Sequence, residues 1–439
     1  MSLTDTAVPS TPPVVPLPTL AGVVIFATGS ARAKSIARKR YGDAFGVKLP
    51  GLGRCVVIGD VDLIRQCHRA DPTVLHAANS IGPVLGGHSL FSLDEDEHLH
   101  QRKLLMPSFN GAKLRAHRTI MAEEAVREVA TWPVDEEFAV LPSMNRVTIN
   151  IILRTIFGAN YGGEAFLALR DRIPIGVRNG QLLALVPPLR RDLGPRSPGR
   201  RHREFRKLFD DVVDGLIDTA RADLDAGRER SDILSLLLDA HYDDGTTLSR
   251  DDLADNLLAL VVAGYETTAG TLAWALERVT RHPELLARLT EEARSGGDDL
   301  RIATITETQR TRPVVPTIAR HVIRPFELGP WVLQPGTKVI IEAPFVHDDE
   351  DNYDDAMAFE PDRFVGRKVD TTRWIPFGGG VRRCLGAAFA QTEMDVVLHT
   401  VLSTIDLEAT TAPDEKGDFR GVTYIPGDGG RIRGRRVPA

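Results

Sequence analysis

Near its C-terminal end the chain reads Phe377-Gly378-Gly379-Gly380-Val381-Arg382-Arg383-Cys384-Leu385-Gly386, and a helix-forming run from Ala387 to Leu402 follows. Glycine admits positive φ and close backbone approach, so such a loop can aim several N–H groups at one sulfur. A cysteine placed there, at a helix N-terminus and beside two arginines, has its thiolate favoured over its thiol. The fold therefore has to hold one sulfur in a fixed place, as a metal ligand or as a nucleophile. A P-loop and its Lys are absent, and no second Cys or His stands at the spacing of a zinc site. Cys55 and Cys67 read as small buried apolar residues.

A second constraint lies in residues 250–281. Ser249 and Asp252 form an S-x-x-D capping signal ahead of a nearly continuous apolar stretch, Leu257 to Ala263. A helix apolar all round is buried, yet this one carries Gly264, Glu266, Thr267 and Thr268 in its middle. Mid-helix Gly costs ~1 kcal/mol relative to Ala, and an unpaired buried carboxylate costs more. Tandem Thr can bond the carbonyl one turn earlier and bend the helix. Stability given up at one spot suits a site set against a bound group. A core helix whose Glu faces a water pocket or an arginine has the same pattern.

Helical patterning dominates the rest, at roughly 61–69, 95–106, 112–131, 144–158, 163–172, 203–225, 231–240, 283–294 and 302–310. Ala44 to Leu49 and Arg54 to Ile58 read as a hairpin joined by Pro50-Gly51-Leu52-Gly53. A second strand-rich patch runs from Val314 to Ile341, with turns at Gly329-Pro330 and Pro335-Gly336. These β pieces come from opposite ends of the chain and can pair. The expected fold is mainly α with a small β-sheet region, one domain over 20–439. A Pro-rich segment, 1–19, precedes it as an extended or mobile arm. The Pro/Gly/Arg-rich run 187–200 reads as a mobile loop. A formal charge of −6 over 439 residues argues against a nucleic-acid partner. Three cysteines suit a reducing cytosol. The apolar stretch 21–27 is far short of the ~20 residues of a membrane span, and no secretory signal is evident, so a cytoplasmic protein is expected.

The cysteine loop matches, at every defined position, the haem-binding signature F-x-x-G-x-R-x-C-x-G of the cytochrome P450 family. Ala263-Gly264-Tyr265-Glu266-Thr267-Thr268 resembles that family's A/G-G-x-D/E-T-T/S motif. Glu307 and Arg310, on one helix face, resemble its E-x-x-R motif with Arg312-Pro313 after it, and Phe359 to Phe364 resembles F-x-P-x-R-F. The resemblance implies a single-domain, helix-rich triangular prism that binds haem b. Cys384 would be the axial iron ligand, with Phe377, Gly378 and Gly386 shaping the loop against the cofactor. Thr267 would hydrogen-bond iron-bound oxygen, Glu266 would relay protons, and Gly264 would leave space over the haem. His98 and Arg102 match the bacterial H-x-x-x-R variant of a further motif and would hold haem propionates together with Arg320 and Arg382. Glu307, Arg310 and Arg363 would form a structural ion network.

The activity so implied is a monooxygenase reaction that inserts one atom of O2 into a lipophilic substrate. Electrons would come from NAD(P)H through a separate reductase and a ferredoxin to a monomeric enzyme. Cations expected on the sulfur side, Lys103, Lys113, Arg115, Arg118, Arg367, Lys368, Arg373 and Arg383, suit an acidic donor. By the same resemblance 76–92, 168–190, Leu260, Ala263 and Val314 to Ile318 line the pocket; the composition of 187–200 suggests a lid. A fatty acid, a terpenoid or steroid, and an aromatic polyketide all fit such a pocket. Two other readings stand beside this one. One is a peroxygenase or isomerase that uses no external electrons, against which Glu266-Thr267 argues; the other is a non-catalytic haem sensor or carrier.

Overall fold

The structure is a computed structural model that describes residues 11–16, 31–49, 52–78, 81–109, 111–158 and 162–436. The apolar stretch 21–27, the turn residues Pro50-Gly51 and most of the Pro-rich arm lie outside them. Residues 11–16 run beside the first strand, with Val15 N–H donating to Gly46 O and Gly46 N–H to Pro13 O, both at 2.8 Å.

One small sheet unites the two ends of the chain. Its strands are β1 (Ala44–Leu49), β2 (Gly53–Ile58), β3 (Leu75–Ala77), β4 (Thr317–Val322) and β5 (Lys338–Glu342), in spatial order β1-β2-β5-β4-β3. β2 pairs parallel with β5, Val57 opposite Ile340. β4 lies antiparallel between β5 and β3, which sets Arg320 opposite Ala77. The turns at Gly329 and Gly336 carry positive φ of 56° and 86°, a region glycine enters without steric cost. Cys55 and Cys67 are buried against this sheet, and burial pushes their thiols up to about 11 and about 12.

The helical body contains α1 (Ala31–Tyr41), α2 (Val61–Arg69), α3 (Glu95–Leu105), α4 (Gly111–Val129), α5 (Leu141–Phe157), α6 (Glu164–Leu185), α7 (Pro198–Asp225), α8 (Arg250–Thr280), α9 (Pro283–Ser295), α10 (Asp299–Thr311) and α11 (Ala387–Thr404), with shorter helical turns between them. α8 runs through its centre. Ser249 Oγ accepts from Asp252 N–H at 3.1 Å while Asp252 accepts from Ser249 N–H at 3.0 Å, the reciprocal cap that the sequence predicts. Leu257, Leu272 and Leu276 of α8 share one core with Met144 and Leu153 of α5 and Val397 of α11. Among the described residues α8 alone is long and apolar enough to cross a membrane by length and composition, and 67% of that window is buried inside this fold.

Two expectations need correction. The helix that starts at Glu164 does not end before Pro174; it continues to Leu185. Proline removes one N–H and crowds the preceding turn, but Phe166, Leu169, Ile173, Val177, Gly180 and Leu183 stay buried at helical spacing. That packing outweighs the defect. The run 187–200 is not a free loop either. Pro187–Arg190 form a 3-10 turn, Arg190 Nε donates to Leu183 O at 3.0 Å, and α7 begins inside the run at Pro198 under a Ser197 cap. Short strands at 405–407, 417–420, 423–426, 431–432 and 434–436 add pairings that the sequence pattern does not reveal.

Candidate active site

Glycines shape the cysteine loop. Gly378 and Gly380 both have φ of 65°, and a Cβ on Gly380 would lie 2.1 Å from His68 O. The loop thus packs against the end of α2 at a distance that excludes any side chain at this position. Cys384 N–H donates to Phe377 O at 2.9 Å and closes the loop. The residue is surrounded by protein and yet remains accessible, whereas Cys55 and Cys67 are sealed in the core. Burial pushes the Cys384 thiol up, while the Gly386 N–H, Arg383 and Arg102 pull the other way. A metal ion at the sulfur deprotonates it outright.

Cations gather beside this loop. Burial and the charges of Arg382, Arg102 and Arg320 lower the pKa of His98, on α3, to about 3. Among the described residues neither Arg102 nor Arg320 has a carboxylate within ion-pair distance. Arg320 is 8% exposed, and burial with the nearby Arg382 lowers it to about 10. Arg382 is already engaged: it donates to Leu90 O and Leu93 O at 3.0 and 2.5 Å and pairs with Asp94. Asp94, which sequence reasoning missed, also accepts from Ala77 N–H at 3.0 Å and ties α3 to the sheet. Three guanidiniums against one carboxylate favour an anionic occupant. A porphyrin iron with two propionates answers both the cations and the accessible sulfur, so the residues present fit haem b.

α8 carries the other predicted residues. It is buried from Leu253 to Ala259 and again from Thr268 to Thr280. Between them Leu260, Ala263 and Thr267, spaced along one helical face, are not buried. Thr267 Oγ donates to Ala263 O at 2.8 Å, the back-bond expected of a mid-helix threonine. Burial pushes the Glu266 carboxyl up, and it is not alone: Gln181 Nε2 of α6 donates to its Oε2 at 2.7 Å. Gly264 packs closely against a neighbouring helix. A Cβ there would lie 2.5 Å from Ile152 Cδ1 of α5, so this glycine permits close packing of two helices.

The ion network is assembled and its central pair is fully buried. Arg310 donates from Nε and Nη2 to the two oxygens of Glu307, both at 2.7 Å, and both residues are 0% exposed. Arg363 Nε donates to Glu307 Oε1 at 3.2 Å, and Arg310 also donates to His347 O, Ala356 O and Ala358 O. Sequence reasoning missed His347. Its Nδ1 lies 3.0 Å from Arg310 O and its Nε2 accepts from Ile375 N–H at 3.1 Å, so the neutral ring carries its proton on Nδ1. Ile375 O in turn accepts from Gly378 N–H at 3.0 Å, and Trp374 Nε1 donates to Thr306 O at 3.1 Å. These bonds connect α10 to the start of the cysteine loop.

Burial lowers His347 to about 3, well below the ~6.5 of an unfolded histidine. The unfolded chain binds the extra proton between those values, so stability falls as pH drops from about 6.5 towards 3. Between pH 7 and pH 5 this residue costs the fold roughly 2 kcal/mol. Urea unfolding of His347→Leu should show that part of the pH dependence flattened, with stability at pH 7 lower by about 2–3 kcal/mol from two lost hydrogen bonds. An unchanged pH profile would contradict the assignment.

The sequence profile of the cytochrome P450 family matches residues 11–426 of this chain. A protein of Mycobacterium tuberculosis named "Putative cytochrome P450 138" is 45% identical over 99% of this chain and 100% of its own length. Another from the same organism, "Putative cytochrome P450 135B1", is 36% identical over 96% of this chain and 91% of its own. The solved structure of retinoic acid-bound cyanobacterial CYP120A1 superposes with a TM-score of 0.82 at 21% identity, covering 98% of this chain and 100% of that one, which shows the shared fold. The chain belongs to the cytochrome P450 family. It is a haem-thiolate monooxygenase that binds haem b.

Proposed function

We propose that Cys384 is the axial ligand of the haem and that the enzyme oxygenates a lipophilic small molecule in the cytoplasm as a monomer, with electrons from NAD(P)H through a separate reductase and a ferredoxin. The accessible Cys384 beside Arg102, Arg320, Arg382 and His98 is the observation that carries this reading. When bound, the haem supplies activation of O2 by two electrons. The protein's own groups do the rest. Arg102 and Arg320, which among the described residues face no protein carboxylate at ion-pair distance, would bind the propionates, and Arg382 would orient one of them from its bridge to Asp94. Thr267 Oγ holds a proton on the open face of α8. Glu266, its carboxyl raised by burial and held at Oε2 by Gln181, would take up and release protons.

Apolar lining supports a lipophilic substrate. The region expected to hold substrate is rich in apolar residues, among them Val84, Leu85, Val177, Leu260 and Ala263. The electron donor is argued from charge. Arg115, Arg367, Lys368 and Arg383 are exposed, and among the described residues they carry no ion pair. Lys103, Arg118 and Arg373 are partly neutralised by Asp243, Asp395 and Asp370; the Lys113 side chain lies outside the described residues. Turnover should require both ferredoxin and reductase and should fall as salt rises. An equal rate with reductase alone contradicts the ferredoxin, and peroxide-driven turnover above the reductase-driven rate contradicts the need for external electrons.

Thr267→Ala removes the hydroxyl proton from the open face of α8. The expected result is peroxide in place of product. Product formed per NAD(P)H should fall about tenfold or more, short of the ~10²–10⁴ that a positioned proton-transfer group contributes because Glu266 remains. Haem content should be unchanged. Measuring NAD(P)H, peroxide and product together checks this, and an unaltered ratio would take Thr267 out of proton delivery.

A further inference from the structure

Asp94 stands at the N-cap of α3, where an aspartate side chain ordinarily accepts from the first turn of its own helix, yet it makes no such bond. Its Oδ1 accepts instead from Ala77 N–H of β3 at 3.0 Å and pairs with Arg382. The following residue, Glu95, has φ of 49°, a region that residues other than glycine rarely adopt and that persists where the surroundings hold it. Helix capping and an easy backbone are thus given up to set one carboxylate against one arginine. The charges nearby balance only when Asp94 is counted. Arg102, Arg320 and Arg382 are cationic, and His98, lowered to about 3 by burial and these arginines, is neutral at pH 7. Three guanidiniums and one carboxylate leave a net charge of +2, equal and opposite to that of two propionates. Glu95 is 43% exposed, lies 2.7 Å from His76 Nε2, and among the described residues has no arginine within ion-pair distance. His76 Nδ1 stands 3.6 Å from Asp94 Oδ2.

We propose that Asp94 is a positioning residue that sets the reduction potential of the haem by sharing Arg382 with a propionate. This role rests on the propionate seat proposed above for Arg102, Arg320 and Arg382. Asp94 acts through Arg382 in two ways. Its charge offsets one of three cations, and a cation close to iron favours the ferrous form over the ferric one, which carries one more positive charge. It also occupies Arg382, which already donates to Leu90 O and Leu93 O, and so limits the charge-assisted bonds that this guanidinium gives to a propionate. An uncharged residue at position 94 therefore raises the potential of the one-electron ferric–ferrous couple and holds the haem more tightly.

The test is a spectroelectrochemical titration of the haem-loaded, substrate-free protein, with haem transfer to apomyoglobin as a second measurement. Asp94→Asn keeps an acceptor oxygen for Ala77 N–H and removes only the charge. Its ferric–ferrous equilibrium should shift at least about threefold towards ferrous, a rise of roughly 30 mV on a scale of about 59 mV per tenfold. The shift should shrink as salt rises. Haem should leave this variant at least about twofold more slowly. Asp94→Glu keeps the charge and should remain near the native potential. An unchanged or lower potential in Asp94→Asn overturns the proposal, as does an equal rise in Asp94→Glu or faster haem loss from Asp94→Asn. Arg320→Gln reports on the propionate seat itself. Haem should leave it several-fold faster, and an unaltered rate there contradicts that seat. Native potentials in both Asp94 variants, beside rapid haem loss from Arg320→Gln, contradict the role of Asp94 alone.

Discussion

Glu307→Ala is expected to yield protein that purifies without haem and unfolds more readily than the native chain. The carboxylate holds Arg310 through two 2.7 Å bonds, receives Arg363, and accepts from Glu360 N–H at 2.8 Å. Removing it leaves Arg310, 0% exposed, without its counter-charge. A stranded buried charge costs about 3–5 kcal/mol. The damage is not confined to α10, because Arg310 O accepts from His347 and His347 accepts from Ile375 at the start of the cysteine loop. The haem content of purified protein, set beside its urea midpoint, checks this. Full haem loading with a native midpoint would show that the network does not support the loop. Glu307→Gln separates charge from shape: it keeps one acceptor oxygen, so its loss should be smaller than that of Glu307→Ala.

Cys384→Ser is expected to abolish turnover, by at least about 1000-fold, a factor that corresponds to ~4 kcal/mol of barrier. Serine fits the space and keeps the backbone bond from the residue 384 N–H to Phe377 O, so the loop stays closed. A hydroxyl does not ionise where a thiol does, and a thiolate ligand pushes electron density onto iron to favour O–O cleavage. The variant should therefore fold, bind porphyrin weakly or not at all, and form no product. Native-like product formation would remove Cys384 from the site.

What the sequence made legible is what short segments encode. The Ser249–Asp252 cap and the apolar run after it define the start and the burial of α8. The triple glycine before Arg382 announces a loop that only glycine can form, and two of its glycines do carry positive φ. Glu307 and Arg310 lie three residues apart, so their pairing needs only helical geometry. The remainder depends on partners far away in the chain. A lone His347 gives no signal until Ile375 and Arg310 are brought to either side of it. Gln181 and Glu266 are 85 positions apart, and the second half of α6 exists because packing outweighs Pro174. The position of Gly264 on its helix was legible, but its close contact with Ile152 on another helix was not. The Cys384 thiol follows the same rule, since the desolvation that raises it is a property of the folded body around the loop.

The central claim is a bond between the Cys384 sulfur and haem iron. Its most direct test is the absorption spectrum of the purified protein, reduced under carbon monoxide, recorded for the native chain and for Cys384→Ser. Native protein should give the red-shifted Soret band of a thiolate-ligated haem, and the variant should lack it. A native preparation without pigment despite ample haem supply, or a variant that retains the thiolate band, would contradict the account.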